Sequence, residues 1–127
     1  MVTWLAVLLG GALGSAARHG VNLIAPKIFG SASPYATAAV NLIGALVIGV
    51  LAGMLVSQRL TMTATERLFY LTGILGGFTT FSSLMLDTLL LSQAGATPRA
   101  VINLLGQLLL GCVLVFAGYR LGFGAAE

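Results

Sequence analysis

The sequence predicts an all-α membrane protein with four transmembrane helices. Hydrophobic residues make up 58% of the 127 residues and charged residues only 7%, six of them Lys or Arg and three Asp or Glu. Soluble domains usually carry about a quarter charged residues. The composition therefore excludes an ordinary soluble enzyme and a nucleic-acid binder, and the lipid bilayer is the solvent that fits this chain.

The uncharged runs are long enough to predict four spans. A helix needs about 20 mostly apolar residues to cross a bilayer core. Runs of that length place the spans near residues 3–23, 36–57, 67–92 and 99–122. With short turns they use residues 1–127 as one four-helix domain. A cleaved signal peptide is the less favoured interpretation of the first span, because no basic segment precedes it.

Capping residues mark three of the predicted helix starts. Ser33-Pro34 and Thr97-Pro98 each place a capping residue before a proline that suits the first helical turn. Thr63-Ala64-Thr65-Glu66 is a capping-box pattern ahead of the third apolar run. We therefore expect side-chain caps at Ser33, Thr63 and Thr97.

The segment from Gly73 to Ser83 predicts that the third helix is broken mid-span. Its glycines, the Thr79-Thr80 pair and its serines weaken a helix through low propensity and competition for backbone hydrogen bonds. Backbone groups freed in a membrane need protein, water or an ion as partner. Carbonyl groups that point into the bundle would favour a cation. Backbone N–H groups at the N terminus of a half-helix would instead favour an anion.

The basic residues divide equally between the two sides of the predicted bundle. Three lie near the side of the N terminus and three near the other side: Arg59, Arg67 and Arg120 against Arg18, Lys27 and Arg99. The positive-inside rule therefore gives no preferred orientation. Two interpretations stay open, a single orientation set by finer placement and dual topology, in which copies insert both ways and pair antiparallel.

Glycines spaced four apart recur in the spans. The pairs are Gly10/Gly14, Gly49/Gly53, Gly73/Gly77 and Gly118/Gly122. Small residues at this spacing let helices approach closely in lipid. Each pair alone is a common packing motif, and together they predict a compact oligomer, most simply a two-fold dimer.

Polar side chains follow one face in three of the spans. They include Thr37, Asn41, Thr79, Thr80, Ser82, Ser83, Asp87, Asn103 and Gln107. Amides can bond between helices for structure alone, but three polar faces favour a hydrogen-bonding path for a small ion or solute. We interpret Asp87 as a structural acceptor rather than a proton relay, since the path holds no second titratable group.

Three other classes of function fit less well. A small four-helix multidrug exporter would need an acid in the first span, and that span has Arg18 and no acid. An enzyme would need a nucleophile and a base, and the single histidine, His19, lies beside Arg18 near a span end. We therefore expect no enzyme. A non-transporting accessory subunit would explain the glycines but not the polar faces.

Three motifs resemble the fluoride-channel family (Fluc, CrcB-type). Gly76-Gly77-Phe78-Thr79-Thr80-Phe81-Ser82 is similar to its third-helix signature, Gly10-Gly11-x2-Gly14-x3-Arg18 to its first-helix motif and Val40-Asn41-x2-Gly44 to its second-helix motif. The resemblance implies a passive channel that exports fluoride across the cell inner membrane to relieve fluoride toxicity. It also implies an antiparallel dual-topology homodimer with two pores.

The resemblance further implies roles for individual residues. Asn41 would donate its side-chain amide to fluoride, and Phe81 would be the first ring of the family's phenylalanine box. Arg18 would lie near the vestibule, and the backbone carbonyls of Gly76 and Thr79 would bind a structural sodium ion at the dimer interface. The implied fluoride pathway comprises Asn41, Phe81, Ser82, Ser83, Leu84, Asn103 and Gln107.

Leu84 departs from the family pattern, which usually has a second phenylalanine at this place. An aliphatic side chain lacks the electropositive edge with which a ring can face an anion. Three explanations stay open: a tolerated natural variant, an altered sequence, or one subunit of a heterodimer whose partner supplies the ring. We favour a working homodimer with less well-coordinated conduction.

Overall fold

The computed structural model describes residues 1–31 and 33–124, and within them every regular element is a helix. In chain order these are α1 (Val2–Phe29), α2 (Tyr35–Val56), α3 (Ala64–Arg67), a π-helical stretch (Leu68–Leu75), α4 (Gly76–Phe78), α5 (Phe81–Gln93) and α6 (Thr97–Phe123). The predicted all-α class is confirmed.

Three helical segments are long and apolar enough to cross a membrane: Tyr35–Val56, Ala64–Gln93 and Thr97–Phe123. They confirm the second, third and fourth predicted spans as candidate membrane segments. Large apolar side chains cover their outer faces, with Ile102 70% and Phe116 73% exposed. Such a surface would be costly in water and suits contact with lipid.

The first predicted span lies within α1, which has 28 residues. At 1.5 Å per residue, its length is about 42 Å, and the hydrocarbon core of a bilayer is about 30 Å thick. The helix runs through Pro26 to Phe29, past the predicted end at residue 23. That α1 crosses the membrane stays a prediction.

The capping box at the start of α3 is confirmed. The Thr63 backbone N–H donates to Glu66 Oε2 over 2.7 Å, and the Glu66 N–H donates to Thr63 Oγ1 over 3.2 Å. Each side chain thereby satisfies a backbone donor that the first helical turn leaves unpaired. The sequence pattern was sufficient to predict this cap because its two partners, Thr63 and Glu66, lie three residues apart.

The caps expected at Ser33 and Thr97 are wrong. Helix α2 begins after Pro34 without a side-chain cap, since the Ser33 hydroxyl donates to Asp87 Oδ1 instead. Helix α6 begins one residue early, so Thr97 is its first residue and Ala96 takes the N-cap position. The proline that follows Thr97 does lie in the first turn, where its missing N–H has no cost.

Helix α1 packs against the segment Ala64–Gln93, which we call the third helical segment because it follows α1 and α2, through glycines of both. A Cβ added to Gly73 would lie 2.8 Å from the Gly10 Cα, and one added to Gly77 would lie 2.7 Å from the Gly11 carbonyl oxygen. A Cβ on Gly14 would collide with the carbonyl of Ile74. The two backbones therefore touch, which only glycine permits.

Helices α2 and α6 make the second close pair. A Cβ on Gly118 would collide with the Leu46 carbonyl and would lie 2.9 Å from the Val50 backbone nitrogen. Gly49 and Gly53 meet the backbone of α6 in the same way. All four glycine pairs thus join helices within one chain, so they give no support to a dimer, which stays a prediction on other grounds.

An added methyl group at Gly118 tests this packing. We expect Gly118→Ala to lower the free energy of unfolding by about 1–3 kcal/mol, because the neighbouring atoms belong to backbone and cannot turn aside. Gly111→Ala, in the same helix, meets nothing within 4 Å and should stabilise by up to about 1 kcal/mol through helix propensity. Thermal unfolding in detergent measures both, and equal effects would contradict the account.

Two extended residues separate α4 from α5. Thr79 has φ −84° and ψ 160°, and Thr80 has φ −155° and ψ 116°. The Thr80 hydroxyl then caps α5 by accepting the Ser83 N–H over 3.2 Å. This irregular backbone lies against α2, where Asn41 bonds to Thr80, and the polar groups of the candidate site gather around it.

Candidate functional site

Asn41 of α2 binds the extended backbone at Thr80 through both ends of its side-chain amide. The Thr80 N–H donates to Asn41 Oδ1 over 2.8 Å, and Asn41 Nδ2 donates to the Thr80 carbonyl oxygen over 3.0 Å. A free backbone donor and acceptor inside a span need such partners. The pairing of these two residues, 39 positions apart, satisfies both.

The hydrogen bonds continue from Asn41 along α6. Asn41 Nδ2 donates to Gln107 Oε1 over 2.9 Å, and Gln107 Nε2 donates to Asn103 Oδ1 over 2.8 Å. Asn103 Nδ2 donates to Thr88 Oγ1 over 3.0 Å, and Thr88 donates to the Leu84 carbonyl oxygen over 2.8 Å. We call Asn41, Gln107 and Asn103 the amide chain. It brings together three of the predicted pathway residues.

Hydroxyl groups cluster at the start of α5. The Thr80 hydroxyl lies 3.2 Å from the Ser82 hydroxyl and donates to the Ser83 hydroxyl over 3.1 Å. Ser83 is half-buried and Ser82 is exposed. The predicted pathway residues Ser82 and Ser83 therefore lie next to the residue that Asn41 holds, as a second group of neutral hydrogen-bond partners.

A cavity of about 540 Å³ opens between the ends of α2, α5 and α6. Its wall includes Ser33, Tyr35, Leu42, Arg99, Asn103 and Gln107. Arg99, Asn103 and Gln107 are spaced four apart, so they follow one face of α6. The cavity therefore combines one cation with two amides in a largely apolar wall.

A smaller cavity, of about 320 Å³, lies between α2 and the stretch from Leu71 to Thr79. Asn41, Gly76 and Thr79 are in its wall, together with apolar residues such as Ile48 and Leu71. Gly76 and Thr79 are the residues expected to bind a sodium ion through their carbonyls. The structure thus places both at one cavity, and their binding of an ion stays a prediction.

The other predicted site residues lie apart from these cavities. Phe81 is 67% exposed and contributes to neither of the two, whereas Leu84, one turn later, is 3% exposed. Arg18 is half-buried in α1 and also contributes to neither. Neither of the two cavities therefore includes Phe81 or Arg18 in its wall.

Asp87 is buried, with 7% exposure. Its Oδ1 accepts the hydroxyl of Ser33, 2.5 Å away, and so ties α5 to the segment before α2. Ser83, one turn before Asp87 in the same helix, bonds to Thr80 instead. Asp87 thus acts as a hydrogen-bond acceptor that joins two elements.

Sequence reasoning missed Thr88, Arg99 and Ser33 as members of the site. Arg99 had a usable signal, because it lies four residues before Asn103 in the same helix. Thr88 and Ser33 had none, since their partners are 15 and 54 residues away. In the part of the chain that the structure describes, no three His, Cys, Asp or Glu residues lie together as metal ligands.

Comparison with known proteins identifies the family. A family model described as CrcB-like protein, Camphor Resistance (CrcB), matches residues 5–119. The chain belongs to this family. The match spans most of α1, the whole of α2 and of the segment Ala64–Gln93, and most of α6, and so includes every residue of the amide chain.

Curated members of the CrcB-like family are similar over nearly the whole length. A protein from Thermus thermophilus named fluoride-specific ion channel FluC is 43% identical over 122 residues, which is 96% of each chain. A protein from Nitrobacter hamburgensis named fluoride-specific ion channel FluC 2 is 41% identical over 94% of this chain and 96% of its own. A protein from Paracoccus denitrificans named fluoride-specific ion channel FluC is 44% identical over 96% of this chain and 95% of its own.

Proposed function

We propose that this chain forms a passive fluoride-selective channel that exports fluoride across the membrane and relieves fluoride toxicity. The observation that carries the proposal is the identity of 41–44% over nearly the full length with relatives named fluoride-specific ion channels. These names favour a channel over an enzyme and over a multidrug exporter. The neutral amide and hydroxyl groups around Thr79 and Thr80 can donate hydrogen bonds, which is the chemistry that an anion such as fluoride needs.

Fluoride must exchange its water shell for protein donors to cross a membrane. Neutral N–H and O–H groups can provide such donors without trapping the ion as a fixed cation would. We propose that the pathway comprises Asn41, Phe81, Ser82, Ser83, Leu84, Asn103 and Gln107. Among these side chains none titrates near neutral pH, which supports passive transport rather than exchange with protons.

We propose that four helices cross the cell inner membrane and that Thr79 and Thr80 break the third of them within the bilayer. The length of α1, 28 residues, supports its crossing. The extended dihedral angles at Thr79 and Thr80 support the break. Arg18 would then lie near the end of the first span, where a fixed cation helps attract an anion to the vestibule.

We propose that the working unit is an antiparallel dual-topology homodimer. The equal division of the basic residues supports insertion in both directions. The ring of Phe81 supports a second copy, because it is 67% exposed and contributes to neither of the two cavities described above. In the dimer Phe81 would complete the pathway of the partner subunit. A heterodimer, whose partner would supply the phenylalanine that Leu84 replaces, is the alternative to this homodimer.

We propose that a sodium ion binds to the carbonyl oxygens of Gly76 and Thr79 at the dimer interface. Helical geometry would pair the Gly76 carbonyl with the Thr80 N–H, but that N–H donates to Asn41. Gly76 and Thr79 also share one cavity. Hard cations bind about six oxygen ligands. The carbonyl oxygens of two copies of the chain come closer to that number than those of one copy. When bound, the ion supplies positive charge that holds the two breaks together.

Growth in fluoride tests the proposed function in cells. A bacterial strain that lacks its own fluoride exporters should regain growth in millimolar-range fluoride when it expresses this chain, since export lowers the internal concentration. Growth in chloride medium without fluoride should be unchanged. Expression of the protein in the membrane without any gain of fluoride tolerance would contradict the proposal.

A further inference from the structure

We propose that Gly44 is a positioning residue for the break in the third helical segment. The space that it leaves in the surface of α2 receives the methyl group of Thr79, and this contact holds the extended residues against α2. The inference rests on the proposed function, because it concerns the shape of the proposed pathway. It goes beyond that function by giving a role to a residue outside the proposed pathway and outside the proposed sodium site.

Gly44 lies against a single side-chain group. The residue is buried in α2, and a Cβ added to it would overlap the Thr79 Cγ2 methyl group. The next atoms would lie at ordinary contact distances, the Thr79 Cβ at 3.7 Å and the Phe78 Cδ1 at 3.9 Å. Gly49 and Gly53 of the same helix differ, because a Cβ on either would collide with the backbone of α6. One methyl group therefore occupies the space that a side chain at position 44 would need.

The other branch of the Thr79 side chain is also bound. Its hydroxyl donates to the Leu75 carbonyl oxygen over 2.9 Å, and the Thr79 backbone N–H donates to the same oxygen over 3.0 Å. A β-branched side chain carries both of its groups on one carbon, so a rotation that moves the methyl group also moves the hydroxyl. Thr79 therefore cannot withdraw its methyl group from Gly44 without losing the hydrogen bond to Leu75.

Two residues of α2 contact the two extended residues in order. Asn41 and Gly44 are three apart and so share one face of the helix. Asn41 bonds to Thr80 over 2.8 and 3.0 Å, and Gly44 contacts Thr79. Because Thr79 and Thr80 are consecutive, a displacement of Thr79 away from α2 would move Thr80 as well and lengthen its hydrogen bonds to Asn41. A glycine at position 44 is thus required for the pairing at the centre of the candidate site.

The backbone amide of Thr80 reports whether the break keeps its place. In the ¹⁵N-labelled protein in nanodiscs, Gly44→Ala should shift the Thr80 amide resonance and speed its hydrogen exchange, because the added methyl group displaces Thr79. Gly53→Ala should lower the unfolding temperature through its collision with α6 but leave the Thr80 resonance in place. An unchanged Thr80 amide in Gly44→Ala would mean that Thr79 only turns its side chain, and it would overturn the proposal.

Moving the methyl group from one residue to the other is the second test. Fluoride efflux from vesicles should fall about tenfold or more in Gly44→Ala, because overpacking displaces the groups around the added methyl. Thr79→Ser removes the overlapping methyl group and keeps the hydroxyl that donates to Leu75. The Gly44→Ala/Thr79→Ser double variant should therefore recover most of the lost efflux and the wild-type Thr80 resonance.

The same second substitution provides the matched control. Thr79→Ser should not restore the unfolding temperature of Gly53→Ala, because the group added at position 53 meets backbone. A double variant of Gly44 and Thr79 that conducts as poorly as Gly44→Ala alone would overturn the proposal. Absence of fluoride efflux in the wild type would instead reject the channel function, and the Thr80 amide would still decide whether Gly44 positions the break.

Discussion

Asn41→Asp should abolish fluoride flux. A carboxylate cannot donate, so the Thr80 carbonyl and Gln107 Oε1 would lose the hydrogen bonds that they accept from Asn41 Nδ2. Each buried acceptor left unpaired costs about 1–3 kcal/mol. The new negative charge would also repel an anion on the proposed pathway, since a charge within a span acts at low dielectric. Efflux from vesicles, measured with a fluoride electrode, should fall to the protein-free background.

Asn22→Asp is the matched control for this change. Asn22 lies in α1 with an exposed side chain, so the same substitution there should leave fluoride efflux near the wild-type rate. Size-exclusion chromatography of both variants establishes that they keep the assembly of the wild type. Normal flux in Asn41→Asp would remove Asn41 from the pathway and would contradict the amide chain as its centre.

Phe81→Ala should lose most of its fluoride flux with little loss of stability. The ring is 67% exposed in the single chain, so its removal creates no cavity within the fold, where losing a buried phenylalanine costs about 3–5 kcal/mol. In the proposed dimer, however, the electropositive ring edge faces the anion in the partner subunit's pathway. We expect efflux to fall at least about tenfold, if the lost contact is worth about 1.4 kcal/mol.

Phe116→Ala separates this effect from the loss of any surface ring. Phe116 is 73% exposed on α6 and contributes to neither cavity, so its variant should conduct as the wild type does. Efflux and thermal unfolding are measured for both proteins. If the two variants conduct equally, Phe81 has no special place in the pathway, and the case for a second copy loses its structural support.

Local patterns in the sequence predicted the helices well. Long uncharged runs gave the second, third and fourth spans to within a few residues, and the capping box at Thr63 was found because its partners lie three residues apart. The caps at Ser33 and Thr97 failed for different reasons. The Ser33 hydroxyl bonds to Asp87, 54 residues away, and α6 begins one residue earlier than Thr97 requires.

The sequence predicted which residues belong to the candidate site but not which of them bond to each other. Asn41, Asn103 and Gln107 were identified because they are polar residues inside apolar spans. Placing such side chains in lipid costs free energy, so their presence indicates a structural or functional role. Their order of bonding depends on how α2, α6 and the extended Thr80 meet in space. The glycine pairs are a similar case. Their spacing predicted close contact between helices, but it could not predict that the partner helix belongs to the same chain.

The central claim is passive fluoride conduction, and efflux from reconstituted vesicles tests it most directly. Vesicles loaded with potassium fluoride are diluted into fluoride-free buffer, and a fluoride electrode records release before and after a potassium ionophore is added. A passive anion channel can release fluoride only when potassium follows to balance charge, so rapid release should begin with the ionophore and exceed the release of chloride from matched vesicles. Fluoride release that needs no ionophore, or equal release of chloride, would contradict the account.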